Sequence, residues 1–188
     1  MKSVWLLWSP VTAITCALGL TLGERLLIGI DGLLVRLLVL LITSGLFIGF
    51  GQWMILRTRL VKAGGWILAT AIGLTFCFSV GSWILDRLPG NILAIEIWIV
   101  IGSTLTGILQ WYTLQKKLSG GLKWILVSAA SWGIAINATY LIVDAYFSWL
   151  RLGNWGTPLL GGLIGAFVGI ISGAFVETSL LRPYREAS

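Results

Sequence analysis

Histidine is absent from this chain of 188 residues, and charge is scarce. Without His, the chain lacks the commonest ligand for zinc, copper and haem and the usual general base. Cysteine is almost as rare: Cys16 and Cys77 lie inside apolar runs, too few for a disulfide framework or a zinc site. Charged residues make up 11% of the chain, where a soluble domain carries about 25%. There is no nucleophile elbow and no phosphate-binding Gly loop followed by Lys-Ser/Thr. The reading is therefore non-catalytic, with no metal site and no catalytic residue. The net charge of +6 does not point to nucleic acid, because the basic residues sit in short loops between apolar stretches. Topology signals account for them there.

What is abundant defines the class. Hydrophobic residues reach 57%, with 24 Gly and 11 Trp. Gly serves close packing of membrane helices, and Trp serves anchoring at the membrane interface. The apolar runs are continuous and do not alternate, which argues against a barrel. The chain reads as an all-α polytopic membrane protein. Six segments approach the ~20 residues a bilayer requires: 4–23, 33–56, 65–85, 92–114, 123–147 and 157–180. Lys2 and the first apolar run resemble a signal peptide, but the repeat described below makes that run a helix of the mature fold. Pro158 suits the first turn of the sixth helix and Pro183 follows its end.

Lys and Arg set the orientation. Lys2, Arg57, Arg59, Lys62, Lys116, Lys117, Lys123, Arg182 and Arg185 fall on one side, and Arg25, Arg36, Arg87 and Arg151 on the other. Nine against four places both termini in the cytoplasm. The Trp residues read as two belts at headgroup level. Trp5, Trp8, Trp53, Trp66, Trp111 and Trp124 form the inner belt, and Trp83, Trp98, Trp149 and Trp155 the outer one; Trp132 lies within a span.

The chain repeats itself. Gly49-Phe50-Gly51-Gln52-Trp53-Met54-Ile55-Leu56-Arg57 recurs 58 positions later as Gly107-Ile108-Leu109-Gln110-Trp111-Tyr112-Thr113-Leu114-Gln115. Trp8, Trp66 and Trp124 keep the same spacing, as do Ala13, Ala71 and Ala129. Small residues recur at i, i+4 and i+8 in the odd-numbered helices, one stripe per helix. In the even-numbered helices, Gly45 and Gly49 match Ser103 and Gly107. In the third copy the offset grows by four, to Gly165 and Gly169 within the run Gly161, Gly165, Gly169, Gly173. Gln52 and Gln110 become Ser172 there, so the third copy has lost the Gln-Trp pair. The expectation is one domain, residues 1–188, built of three tandem parallel hairpins at 1–58, 59–116 and 117–184 about a pseudo-threefold axis. Inverted repeats of alternating-access carriers are a different arrangement.

The repeated residues supply the candidate site. Gln52 and Gln110 share the face of Gly49 and Gly107, and an amide near the inner boundary can donate and accept at once. The simpler role is an interhelical clasp. The sharper one is contact with a lipid headgroup or with the carbonyl of a pigment or quinone. Trp53 and Arg57, like Trp111 and Gln115, stand at i, i+4; they read as an interface anchor that could face anionic lipid on the cytoplasmic side. Gly45, Gly49, Gly107, Gly161, Gly165, Gly169 and Gly173 read as helix-packing positions. A pore lined by these glycines would need polar partners near mid-membrane, and Thr75, Ser79, Thr106 and Asn137 are scattered. Asp86 and Asp144 match in the repeat and read as solvated helix ends. Glu96 and Arg36, closer to the spans, would need partners if buried.

The G-x-x-Q-W-x-x-L-[R/Q] stretch, followed by a basic loop and a Trp opening the next helix, resembles small multi-pass bacterial membrane proteins of cyanobacterial type. The matching residues are Gly49, Gln52, Trp53, Leu56, Arg57 and Trp66, then Gly107, Gln110, Trp111, Leu114 and Trp124, across roughly residues 45–130. The resemblance implies a bacterial inner or thylakoid membrane and no particular activity or cofactor. The leading expectation is an accessory, assembly or scaffold subunit that meets a membrane partner or lipid. The alternatives are a small channel or transporter along the pseudo-threefold axis, and a pigment, quinone or lipid binder.

Overall fold

The computed structural model describes residues 4–58, 63–87, 92–114, 121–143 and 156–180; within them, the side chains at 4–5, 33–34, 37, 77–86, 92–95, 114 and 179–180 are left aside. Much of the charge on which the orientation is read (Lys2, Arg59, Lys62, Lys116, Lys117, Arg151, Arg182 and Arg185) lies outside the described residues. So do Gln115, Asp144, Trp149 and Trp155, and the side chains of Trp5, Cys77, Ser79, Trp83 and Asp86.

The described chain forms six helices and no strand. They are α1 (Val4–Leu26), α2 (Leu33–Leu56), α3 (Gly65–Arg87), α4 (Ile92–Leu114), α5 (Gly121–Ile142) and α6 (Gly156–Phe175), the last continued by a π-helical turn, Val176–Leu180. Among the described residues, four stretches are long and apolar enough to cross a membrane: Leu6–Leu26, Leu38–Leu56, Gly121–Ile142 and Gly156–Thr178. Both α3 and α4 have 23 residues, about 35 Å at 1.5 Å per residue. Continuous apolar sequence forms helices in such a setting because each backbone group must find its partner within its own segment. Breaks fall where the side chains change. Gly29 and Gly32, at φ of 80° and 93°, take left-handed backbone between α1 and α2, which other residues resist. Pro158 stands in the first turn of α6, where its missing N–H costs nothing.

Each helix packs against its neighbours in sequence, and α6 returns to α1, so the six close into a ring. Two kinds of seam alternate around it. Within a hairpin, α1 meets α2 through Gly19 beside Ser44 and Gly51 beside Thr15, and α3 meets α4 through Gly73 beside Thr106. Between hairpins, the even helix lays its glycines on the next odd helix. A Cβ on Gly45 would stand 2.6 Å from the Ala71 Cα, and one on Gly49 would stand 2.9 Å from the Ile67 Cα. On α6, a Cβ on Gly165 would be 2.8 Å from the Ala13 Cα, and one on Gly169 would be 2.6 Å from the Ser9 Cα. Gly107 lies against Ile125 and Ser128, and where Gly45 would have its counterpart, Ser103 and Ser128 exchange close contacts through Ser128 Oγ donating to the Ser103 carbonyl. Residues one repeat apart thus meet partners one repeat apart at all three seams. This backbone approach supplies close dispersion contact between the helices.

The interior follows the same register. Trp8, Trp66 and Trp124 are buried; a turn on, so are Thr12, Thr70 and Ser128; a turn further, Cys16, Leu74 and Trp132. From the even helices come Gln52, Gln110 and Ser172, then Ile48, Thr106 and Val168. The outer face carries the large apolar side chains, among them Ile14, Phe50, Leu68, Ile72, Leu126 and Ile134.

Candidate functional site: the tryptophan and glutamine hub

The indoles of Trp8, Trp66 and Trp124 lie inside the ring, not at its margin. Trp8 and Trp66 are 0% exposed and Trp124 is 3% exposed. Their rings touch in series: Trp8 to Trp66 at 6.3 Å between centroids, Trp66 to Trp124 at 5.4 Å, and Trp124 to Phe175 at 5.9 Å. These three do not serve as headgroup anchors of an inner belt. The physical reason is geometric: a ring of six helices leaves a centre too wide for small side chains, and three indoles close it. Trp98, read as part of the outer belt, is also buried, at 4% exposure. Trp53 and Trp111 are half-buried and pack against the indole cluster from the side.

Burying an indole requires an acceptor for its N–H. Trp8 Nε1 donates to Ser172 Oγ at 3.0 Å, and Trp66 Nε1 donates to Gln52 Oε1 at 2.9 Å. Both acceptors sit on the preceding even helix, at matched repeat positions. Gln110 Nε2 instead donates to Thr70 Oγ1 at 2.9 Å, tying α4 to α3. Thr70 Oγ1 in turn donates to the Trp66 carbonyl. The Trp124 Nε1 has no protein acceptor among the described residues. Between these groups lies a small central cavity, lined by Gln52, Thr70, Gln110, Trp124, Ser128 and Ser172 among others, with about 10 Å³ of space.

Both glutamine amides therefore bond to a neighbouring helix and lie 4% exposed. Gly45, Gly49, Gly107, Gly161, Gly165 and Gly169 face close backbone or Cβ atoms of the adjacent helix, and Gly173 is buried. Arg57 ends α2 at the surface, its guanidinium carbon 4.9 Å from the centre of the Trp53 ring. Trp53 also contacts Phe50, at 5.6 Å.

Sequence reasoning missed three features. The hydroxyl ring of Thr12, Thr70 and Ser128 falls four residues after each buried Trp, and that spacing is visible in the sequence. Ser172 as an indole acceptor is visible only through the repeat. Glu96 meets its partner in Asn137, whose Nδ2 donates to Glu96 Oε2 at 3.2 Å, linking α4 to α5. Arg36 is exposed.

No protein-family model matches the chain, and no curated protein or solved structure matches it either.

Thr70→Val should strip Gln110 of its acceptor while leaving the volume nearly unchanged. We expect a loss of ~0.6–2 kcal/mol, the range for interhelical hydrogen bonds in bilayers, read as a lower unfolding midpoint in mixed micelles. Thr104→Val, whose hydroxyl bonds only to its own helix, should lose less.

Proposed function

We propose that this chain is a non-catalytic integral membrane protein, an accessory, assembly or scaffold subunit whose outer surface binds lipid and a membrane-protein partner. Its six helices are spans, arranged as three parallel hairpins about a pseudo-threefold axis, with both termini in the cytoplasm of a bacterial cell whose inner or thylakoid membrane it occupies. The matched seams between hairpins and the matched buried layers support the threefold reading.

The observation that carries the binding role is the outer seam of α2 and α3. A groove of about 510 Å³ there is lined by Leu38, Ile42, Leu46, Leu68, Ile72 and Phe76. It runs on, past Leu46, into a second hollow formed with Phe47, Phe50 and Ile67. Phe50 touches Trp53, and Arg57 caps Trp53. An acyl chain laid in the groove would leave an anionic headgroup within reach of the guanidinium. Basic side chains beside the inner leaflet attract such lipid by about 1 kcal/mol each. In the interior, by contrast, the glutamine amides bond to Trp66 and Thr70. The three indoles stand across the axis that a channel would need, so the channel reading has less support.

Native mass spectrometry of the protein extracted in mild detergent tests this. A stoichiometric partner protein or retained anionic phospholipid is expected, and Arg57→Gln should lower lipid retention several-fold without unfolding the protein. A protein that emerges alone and without lipid, and that conducts solutes in liposomes, would sink the proposal in favour of a channel.

A further inference from the structure

We infer that the central cavity is a hydration site, holding one water that accepts the Trp124 indole N–H. The site lies apart from any partner or lipid outside the ring. Trp8 and Trp66 each donate to the residue at the matched position of the preceding even helix, Ser172 and Gln52. The matched residue for Trp124 is Gln110, whose amide is turned to α3 and donates through Nε2 to Thr70 Oγ1. Trp124 Nε1 has no acceptor among the described residues, although its residue is only 3% exposed. A buried N–H with no acceptor costs ~1–3 kcal/mol, so a ligand that accepts this bond is favoured.

The space beside it is polar and of the right size. Its roughly 10 Å³ matches the ~10–15 Å³ that one water needs. Ser172, which stands where the other two copies carry Gln, is among its lining residues. The lining offers what a water uses: the Trp124 N–H to accept from, and the Gln52, Gln110, Ser128 and Ser172 side chains within the same cavity. The known bonds of Gln52 use its carbonyl and those of Gln110 its amino group. The opposite end of each amide remains for the occupant.

Other occupants fit less well. A cation would face an N–H donor. An anion would accept from the indole, but among the described residues no charged side chain lines the cavity, and an unpaired buried charge is far more costly than a buried dipole. An apolar group would leave the indole unbonded. The ligand class is therefore a neutral hydrogen-bonding molecule of one heavy atom.

The test is proton NMR of the full chain in micelles with 15N-labelled tryptophan, the indole signals assigned by single Trp→Phe variants. A through-space cross-peak to a long-lived water is expected at the Trp124 indole and at neither Trp8 nor Trp66. In Ser172→Gln, whose longer side chain fills the space, that cross-peak should vanish. Absence of a water contact at Trp124 in the unaltered protein overturns the inference. Equal water contact at all three indoles overturns it too, because the interior would then be generally wet. Both of these readings come from the unaltered protein, so they stand even if Ser172→Gln fails to fold.

Discussion

Replacing Trp66 by Ala should cost ~3–5 kcal/mol, the range for deleting a large buried aromatic. Its position sets the size of the effect. Trp66 touches Trp8 on one side and Trp124 on the other, so it is the middle member of the indole series. Each aromatic contact adds ~0.5–1.5 kcal/mol beyond area burial, and the substitution removes two. It also takes away the donor that Gln52 Oε1 accepts. Against a total stability of ~5–15 kcal/mol for ordinary domains, the loss should leave little folded protein in detergent at room temperature. Trp66→Phe separates packing from hydrogen bonding. It keeps most of the ring contact and leaves Gln52 without its donor, for an expected ~1–3 kcal/mol. Trp53→Ala provides the contrast, since Trp53 is only half-buried beside the cluster. Unfolding midpoints in mixed micelles should fall in the order Trp53→Ala, then Trp66→Ala as the lower. If Trp66→Ala melted with the unaltered protein, the indole series would not be the centre of the fold.

The six helices were legible because their signal is long. Apolar runs near the length of a bilayer leave one solution for the backbone, and the segments marked at 33–56, 65–85 and 92–114 correspond closely to Leu33–Leu56, Gly65–Arg87 and Ile92–Leu114. Of the fifth segment, 123–147, residues 123–142 are helix and residues 144–147 lie outside the described ones. The glycine faces were legible for a similar reason: spacing at i, i+4 puts small residues on one stripe, and the stripe has to meet something. The direction in which a Trp points was not legible. An indole close to a helix end satisfies two rules, anchoring at a headgroup or plugging a wide bundle, and local sequence does not separate them. The repeat itself bears on that direction. Three Trp residues at one register, each followed four residues later by Thr or Ser, describe an inward layer. A belt would place no demand on the residue one turn away. The cavity beside Trp124 lies further from sequence, because it depends on whether the Gln110 amide turns to Thr70 or to Trp124.

Gly165→Leu should be as damaging as Trp66→Ala, through crowding instead of loss. A Cβ at this position would stand 2.6 Å from the Thr12 carbonyl oxygen and 2.8 Å from the Ala13 Cα. Both are backbone atoms of α1, so no rotamer change relieves the contact and the two helices must separate. Separation would also pull Gly161 and Gly169 away from Ala17 and Ser9 along the same seam, and would stretch the bond between Trp8 Nε1 and Ser172 Oγ. The seam between α6 and α1 is the one that closes the ring. Overpacking in a well-filled interior costs ~1–3 kcal/mol and sometimes more, and here the loss is spread over a whole helix pair. Gly165→Ala should show a reduced form of the same effect. Gly162 is the control: among the described residues nothing lies within 4 Å of its would-be Cβ, so Gly162→Ala should match or slightly exceed the unaltered protein, since Ala holds a helix better than Gly by up to ~1 kcal/mol. Thermal unfolding in detergent should rank Gly162→Ala above Gly165→Ala and Gly165→Ala above Gly165→Leu. Equal midpoints for the two alanine variants would mean that α6 does not approach α1 as closely as the ring requires.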